Sequence, residues 1–435
     1  MQHSVEKIQL KNGAQGIFID APAANVVYFD IAFRAGNYLA PTGKMDTAHI
    51  MEHLCLGANA KYKSAREYSQ EFTKHGAYSN AYTGDYHMGY IAECARFETE
   101  RITDLLCLAI ESPLFTEKDF KSEVANVREE LKMRRNYHES ELTLEHEDSM
   151  GYVAKSYTKR LKQLGKIEPQ DIKNHYAKTH FANNMRFIIA GPIADNKKAI
   201  IDRLESLAMP SGDEIIALPD EKPLKLEQPL TLQIPNIDNI YYRWASVFDG
   251  LLSQSEKHAL YTVQDYLFST FHSKVFGKAR EKGLVYGIES EYYRSRDNHV
   301  WVVGGQVQAK NAMPLFRLMT SELQKIANGD VYLTELNSVK DYEWGSFQKA
   351  IQTVSQLASW YQYSYFMGEK IKDYDAIEHM IYSVTQADMQ AIVQKIFSSS
   401  VWGLAFMKSP TDKLPDTDIN ALIAKHYKSE LVVET

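Results

Sequence analysis

The chain has 435 residues, of which 44% are hydrophobic and 24% are charged, and its formal net charge is −7 at pH 7. These values are ordinary for a globular protein, and the length predicts two to four domains. The negative charge argues against a nucleic-acid-binding protein, which usually carries a basic patch. Apolar runs stay short of the roughly 18 residues that a membrane-spanning helix needs. We therefore expect no nucleic acid and no membrane as partners.

The N-terminus and the cysteines bear on the cellular compartment. The opening residues, "MQHSVEKIQLKNGAQG", are polar and lack the apolar stretch of a secretory signal. Cys55, Cys94 and Cys107 are too few for a disulfide framework. We expect a reduced compartment, and the cytoplasm is the simplest location.

The first strong pattern is a strand followed by two helices. Residues 25–37 are rich in β-branched and aromatic side chains, which predicts a strand. The stretch "TAHIMEHLCLGA", residues 47–58, follows a turn and has helical periodicity. Residues 64–76 predict a capped helix, with Ser64 as N-cap, Glu67 three positions later and a closing glycine.

The rest of the first half alternates strands and helices. Residues 77–94 predict a strand or hairpin around a Gly-Asp turn. Two helical patterns follow over 97–113 and 117–140, and residues 184–193 predict a short buried strand.

The second half repeats this order after a linker. Residues 209–230 are rich in proline and charge, which is typical of an extended linker. Residues 239–250 resemble residues 25–36 in type, at an offset of 214 residues. This offset predicts two homologous α+β domains, 1–208 and 231–435, each with a mixed or antiparallel sheet packed with helices. The alternative is two unrelated α+β halves.

Candidate metal chemistry lies on the first helix. His49 and His53 are four residues apart, so they share a helix face and can direct both imidazoles at one point, as half of a zinc site does. Glu52 lies on the rim of this face, where a general base could stand beside a metal rather than on it. The alternative is a chance pair of histidines, which is common in long chains.

A third ligand is needed for a catalytic zinc ion. Glu123 and Glu130 are seven residues apart and lie on one face of a predicted helix. They could supply a direct ligand and an outer carboxylate that orients a histidine. Glu129 is turned about 100° away from Glu130. The alternative is a solvated face whose glutamates pair with nearby lysines and arginines.

These residues resemble the His-x-x-Glu-His pattern of the inverzincin metallopeptidases, the family of pitrilysin, insulysin and the mitochondrial processing peptidase. In that family a glutamate ligand follows the second histidine by about 77 residues, and another glutamate precedes that ligand by seven. Here Glu130 follows His53 by 77 residues. The resemblance implies one zinc ion per chain on His49, His53 and Glu130, with Glu52 as the general base and Glu123 in support.

Two further stretches resemble this family. "YSNAYTGDYHMGY" is similar to an Asn-Ala-x-Thr strand, and it implies an edge that holds extended substrate along Asn80, Ala81 and Thr83. "KAREKGLVYGIESEYY" is similar to a second-domain Arg-Glu-x-x-Gly-Leu-x-Tyr signature, but it is one residue shorter. It implies that Arg280 and Tyr286 contact the bound peptide or the tetrahedral intermediate. The alternative is a structural arginine and a strand tyrosine.

The resemblance is to a short, two-domain member of bacterial type, and it implies a zinc-dependent endopeptidase that cleaves short or unfolded peptides in a closed chamber. The second domain is expected to be inactive, because "LYTVQDYLFSTF" there lacks the motif. Longer family members carry four such domains, so we expect this chain to pair as a homodimer, or as a heterodimer with an inactive homologue. The alternative function is a non-catalytic partner or processing subunit of the same fold.

Overall fold

The computed structural model describes residues 1–371, 373–399 and 401–427. The chain forms two compact units, each built from three segments. Unit 1 comprises Met1–Met133, Tyr157–Pro219 and Gln348–Lys372, and unit 2 comprises Arg134–Ser156, Asp220–Phe347 and Asp373–Thr435. Residues 428–435, at the end of the predicted second domain, lie outside the described residues.

Unit 1 contains a mixed six-stranded sheet. Its strands are β1 (Ser4–Gln9), β2 (Gln15–Asp20), β3 (Val26–Phe33), β4 (Tyr78–Thr83), β5 (Met88–Ala95) and β6 (Met185–Gly191). Their order is β1-β2-β6-β3-β5-β4, in which β2 and β6 run parallel and the other neighbours are antiparallel. β3 is buried along almost its whole length, so both faces of the sheet are covered there.

The helices of unit 1 pack around this sheet. They are α1 (Thr47–Cys55), α2 (Ala65–Thr73), α3 (Thr99–Glu111), α4 (Glu117–Arg135), α6 (Tyr157–Gln163), α7 (Pro169–Thr179), α8 (Lys197–Glu205) and α13 (Val354–Phe366). α2 begins as predicted, because the Ser64 hydroxyl accepts a hydrogen bond from the Glu67 amide at 3.2 Å. The helix predicted over 117–140 ends earlier, since the last buried side chain of α4 is Leu131.

Unit 2 contains a five-stranded sheet. Its strands are β7 (Leu230–Gln233), β8 (Ile240–Val247), β9 (Ile288–Arg294), β10 (His299–Val307) and β11 (Val401–Lys408). Its helices are α5 (His138–Ser149), α9 (Gln254–Gln264), α10 (Phe276–Glu281), α11 (Ala309–Ala327), α12 (Leu333–Ala350), α14 (Ile377–Ser383), α15 (Gln386–Phe397) and α16 (Asp416–Ala424). A core of large apolar side chains, including Trp244 and Trp301, fills the space between them.

The two sheets share one topology. The order β7-β11-β8-β10-β9 in unit 2 repeats β2-β6-β3-β5-β4 in unit 1. The directions also repeat, because β7 and β11 are parallel and the remaining neighbours are antiparallel. The predicted fold class, a repeated α+β domain, is therefore confirmed.

Neither unit is continuous in sequence. α5 lies between α4 and α6 in the chain, yet it packs on β8 and β11 of unit 2. α13 follows the helices of unit 2, yet it packs on β3 and β6 of unit 1. The linear domain boundaries stay a prediction, and the compact units depart from them at these two segments.

Three further predictions concern the linker, the cysteines and membrane-spanning helices. Residues 209–229, where the linker was predicted, form neither helix nor strand. The three cysteines are buried and free, so no disulfide joins them. In the described part of the chain, every helix is too short or too polar to cross a membrane.

A buried carboxylate lies on β3 of unit 1. Asp30 has no exposed surface, and it accepts hydrogen bonds from the Tyr82 hydroxyl at 3.2 Å and from the Gln362 amide of α13. Gly89 stands opposite Tyr82 and leaves room for its ring, which a Cβ would meet at 2.5 Å. Burial raises the pKa of Asp30 to about 7, against the lowering effect of both hydrogen bonds.

This carboxylate predicts a pH-dependent stability. Because the folded chain binds the Asp30 proton more tightly than the unfolded chain, the free energy of unfolding should fall as the pH rises from about 4 to about 7. In Asp30→Asn the side chain is neutral at every pH, so the free energy of unfolding should not show this fall. Relative to the wild type, the free energy of unfolding of the variant should therefore rise by on the order of a few kcal/mol between pH 4 and pH 8. Urea unfolding at a series of pH values measures the difference.

Asp213→Asn is the matched control, because Asp213 is exposed in the same unit. It should follow the wild-type pH dependence. If Asp30→Asn also followed it, the buried carboxylate would not be the titrating group.

Candidate metal centre

Three side chains of unit 1 converge on one point. The Nε2 atom of His49 lies 3.3 Å from Glu130 Oε2, and that of His53 lies 3.7 Å from the same oxygen. One donor atom from each residue lies within 4.8 Å of the others. Donors bound to zinc at tetrahedral angles stand roughly 3.3 Å apart, since each bond is about 2.0–2.1 Å long. The three residues therefore fit a zinc ion.

Two helices hold these side chains. α1 buries Ile50, Met51 and Leu54 in the core of unit 1, which leaves its histidines on the face toward α4. α4 anchors itself by buried residues that include Val127 and Leu131. Because the buried apolar residues fix both helices, the imidazoles of α1 and the glutamates of α4 have a defined position relative to each other.

A carboxylate stands behind each imidazole. Glu123 Oε2 lies 3.0 Å from His53 Nδ1, and Asp46 Oδ1 lies 3.3 Å from His49 Nδ1. The hydrogen bond from His53 lowers the pKa of Glu123, although burial opposes this. Asp46 also accepts two hydrogen bonds from Arg160, at 3.1 Å from Nε and 2.5 Å from Nη2. Both imidazoles are thus held at Nδ1, with Nε2 directed toward Glu130, where a metal would bind.

The charges around His49 shift two pKa values in opposite directions. Burial alone would lower the pKa of His49, but Asp46 and Glu130 raise it to about 9. Burial alone would raise the pKa of Asp46, but His49 and Arg160 lower it to about 2. The site therefore attracts positive charge, and a metal ion that binds there must displace the proton of the imidazole.

Glu52 lies beside this group without belonging to it. Its side chain is buried on α1, and its Oε2 accepts a hydrogen bond from the Thr83 hydroxyl at 2.8 Å. Among the described residues, the convergent group contains His49, His53 and Glu130 alone. The catalytic role of Glu52 stays a prediction.

The strand that carries Thr83 is the last of the sheet. β4 comes at the end of the strand order and pairs with β5. Asn80 is exposed on it, and Ala81 is buried. The structure places these residues on one strand that leads to Glu52, and their role in substrate binding stays a prediction.

Glu129 points away from the centre, as the helix geometry predicted. Its carboxylate is largely exposed and pairs with Lys132 at 2.7 Å. The solvated face that was the alternative for the glutamates of α4 therefore exists, but Glu123 and Glu130 lie on the other side, toward the histidines.

Arg280 and Tyr286 belong to unit 2, whereas His49, His53 and Glu130 belong to unit 1. The Arg280 guanidinium carbon stands 4.3 Å from the centre of the Tyr286 ring, a cation–π contact. The Tyr286 side chain is 84% exposed. Both residues line a cavity of about 580 Å³ together with Gly283 and Gln306.

Unit 2 has only part of a comparable arrangement. On α9, His258 and Thr262 are four residues apart, as the two histidines of α1 are. Thr262 donates a hydrogen bond to Glu343 of α12 at 3.1 Å, and His258 Nδ1 lies 3.9 Å from the same carboxylate. Tyr261 stands three residues after His258, where α1 has its glutamate. The described residues contain no second group of three converging ligands.

Two residues of the centre were missed by the sequence analysis. Asp46 lies three positions before His49, one helical turn away, and this spacing is a signal that could have identified it. No local sequence pattern indicates the role of Arg160, because Asp46, to which it donates its hydrogen bonds, lies 114 residues earlier in the chain.

Comparison with protein families gives two matches along the chain. Residues 17–162 match the model for insulinase, peptidase family M16, and residues 166–342 match the model for the peptidase M16 inactive domain. Together these models cover most of the chain, and the first of them contains the whole metal centre.

Individual relatives agree with these matches. Zinc protease PqqE of Helicobacter pylori is 20% identical, over 93% of this chain and 92% of that protein. The uncharacterized zinc protease YmxG of Bacillus subtilis is 20% identical, over 94% of this chain and 100% of that protein. Insulin-degrading enzyme-like 1 of Arabidopsis thaliana is 29% identical over 26% of this chain, and the match spans only 12% of that longer protein.

Solved structures share the fold over nearly the whole chain. A protease from Helicobacter pylori superposes with a TM-score of 0.80 at 17% identity, covering 94% of this chain and 100% of the other. A peptidase M16 inactive domain from Pseudomonas fluorescens gives a TM-score of 0.81 at 15% identity, covering 95% and 99%. The repeated topology and the two family matches agree, and the chain belongs to the insulinase family of peptidases, family M16.

Proposed function

We propose that this chain is a zinc-dependent endopeptidase. The observation that carries the proposal is the convergence of His49, His53 and Glu130, with Glu52 beside them and outside the set. Three protein ligands leave one coordination position free, which is the mark of a catalytic rather than a structural zinc site. The names of the full-length relatives, which are zinc proteases, support the same chemistry.

Glu52 is the residue that moves the proton in this proposal. Zinc, when bound, would acidify a water molecule and polarise a peptide carbonyl. Glu52 accepts the proton from the attacking water and delivers it to the departing amine. Its hydrogen bond from Thr83 keeps one carboxylate oxygen in a fixed direction.

The substrate in this proposal is an extended peptide. A strand at the end of a sheet can bind a further strand through backbone hydrogen bonds, which depend little on side chains. β4 has this position, and Asn80, Ala81 and Thr83 lie along it. Because only short or unfolded chains can lie fully extended there, we propose these as the substrates, taken up into a closed chamber.

Arg280 and Tyr286 complete the proposal on the strength of the sequence resemblance. We assign them to the bound peptide or to the tetrahedral intermediate, where a guanidinium and a phenol could stabilise negative charge. The exposure of Tyr286 and the cavity beside it support a ligand-binding role. The alternative function, a non-catalytic partner, is disfavoured by the complete ligand set in unit 1.

The Glu52→Gln variant tests the division between binding and catalysis. It should keep one zinc ion per chain, because Glu52 is outside the ligand group. Hydrolysis of a quenched peptide should fall at least about 100-fold, since the general base is lost. Metal content by atomic emission and peptide cleavage by fluorescence measure the two effects.

Glu129→Gln serves as the control for this experiment, because it removes an exposed carboxylate that pairs with Lys132. It should leave both zinc and activity unchanged. A fully active Glu52→Gln protein would contradict the assignment of the general base.

The Glu130→Gln variant should lose both zinc binding and peptide hydrolysis. Removing a direct ligand should weaken zinc binding by more than the roughly 10- to 100-fold that loss of an outer partner causes. Dialysis against a chelator should likewise abolish wild-type cleavage, and added zinc should restore it. Zinc binding and activity that survive in Glu130→Gln would exclude Glu130 as the third ligand.

We further propose that the active form is a homodimer, because the described residues form two compact units, whereas the resemblance implies four such domains in the longer family members. Light scattering at micromolar concentration should give twice the chain mass. Activity per chain should fall when dilution dissociates the dimer. A monomer that remains fully active at nanomolar concentration would contradict this, and a need for a second protein would indicate the heterodimer instead.

A further inference from the structure

A buried ion pair lies directly behind His49. Asp46 has no exposed surface and Arg160 has 7%. The guanidinium donates from Nε to one carboxylate oxygen at 3.1 Å and from Nη2 to the other at 2.5 Å. The oxygen that receives Nη2 also lies 3.3 Å from His49 Nδ1. The three groups therefore form one chain of contacts that ends at a candidate ligand.

The position of Asp46 would allow its side chain to cap helix α1, but the side chain does not do so. It is the N-cap residue of α1, and its carbonyl accepts the first helical hydrogen bond, from Ile50. An N-cap aspartate normally turns its carboxylate onto the amides of the first turn. The side chain of Asp46 makes no such bond. It points to His49 and Arg160 instead, so helix capping does not explain it.

Stability does not explain the pair either. Taking two charges out of water costs several kcal/mol per ion, and their attraction often does no more than offset this. An apolar pair of similar size would serve packing as well or better. What the ion pair adds is a fixed acceptor at a fixed place, since the planar guanidinium sets the plane of the carboxylate through two hydrogen bonds.

The consequence for His49 is a single tautomer. An ionised carboxylate can only accept hydrogen bonds, so the proton of the neutral imidazole must sit on Nδ1. Nε2 then carries the lone pair and faces Glu130 at 3.3 Å, where a metal would bind. Glu123 gives His53 the same tautomer, but that pair is about one quarter exposed, whereas His49 is nearly enclosed.

We propose that Asp46 is a positioning residue for the metal centre, which fixes the tautomer and direction of His49, and that Arg160 holds Asp46 in place. The inference rests on the proposed function, because it assigns His49 as a zinc ligand. Asp46 touches neither substrate nor metal in this assignment. It acts through the imidazole, as outer carboxylates act on histidine ligands in zinc enzymes.

The decisive variant replaces both charges at once. Asp46→Leu combined with Arg160→Met removes the ion pair without leaving an unpaired charge, so the fold should be as stable as before or more so. Zinc affinity, measured by competition with a chelating dye, should nevertheless fall about 10- to 100-fold. The imidazole Nδ1–H resonance of His49, present in the wild-type zinc form, should be lost.

Two single variants serve as comparisons for the double variant. Asp46→Asn keeps the volume of the side chain and should also lower zinc affinity, which gives a second reading if the double variant does not fold. Glu123→Gln removes the matching carboxylate behind His53 and should lower affinity to a similar extent. Circular dichroism confirms that each protein is folded at the temperature of the titration.

A folded double variant with wild-type zinc affinity would overturn the inference, because the pair would then be structural only. Wild-type affinity in Asp46→Asn together with loss of the His49 Nδ1–H resonance would overturn it as well, because zinc binding would then not depend on the held tautomer. A wild-type chain that binds zinc but cleaves no peptide would refute the proposed function instead. The affinity comparison would still decide the role of Asp46 in that case.

Discussion

The candidate site depends on the register between two helices that are distant in sequence. His49 and His53 face the same way because they are four residues apart on α1. Glu130 follows His53 by 77 residues, and its place on α4 must bring its carboxylate to both imidazoles. A slip of one residue in α4 would turn its carboxylate by about 100° and leave the imidazoles without a third ligand. The buried side chains that fix both helices are therefore as much a part of the metal chemistry as the ligands are.

Two aspartates of unit 1 show how neighbours decide the charge of a buried group. Asp46 and Asp30 both have no exposed surface. Burial would raise the pKa of each, yet that of Asp46 is lowered to about 2, whereas that of Asp30 is raised to about 7. Arg160 and an imidazole face the first, and the donors to the second among the described residues, Tyr82 and Gln362, are neutral. Asp46 can therefore serve as a permanent acceptor behind a metal ligand, and Asp30 holds a proton through the lower part of the pH range.

The sequence predicts what is local or periodic, and it predicts less of what only the tertiary structure brings together. The helical spacing on α1 and α4 was enough to select the two histidines and the pair of glutamates, and the family resemblance then assigned Glu130 as the third ligand. The repeated strand patterns were enough to predict two α+β domains. The exchange of α5 and α13 between the units was not predicted, because helical periodicity does not specify which sheet a helix covers. Arg160 was missed for a similar reason, since its contact with Asp46 spans 114 residues. Arg280 and Tyr286 are predicted by resemblance alone, and their contact with each other is what the structure adds.

The most direct test of the account is a crystal structure of the zinc-loaded protein with anomalous data collected at the zinc edge. The account predicts one strong peak per chain, bonded to Nε2 of His49, Nε2 of His53 and a carboxylate oxygen of Glu130. Glu52 should lie near this peak without a bond to it. A chain without a peak at this place, or a zinc ion that takes Glu52 as a ligand, would contradict the central claim.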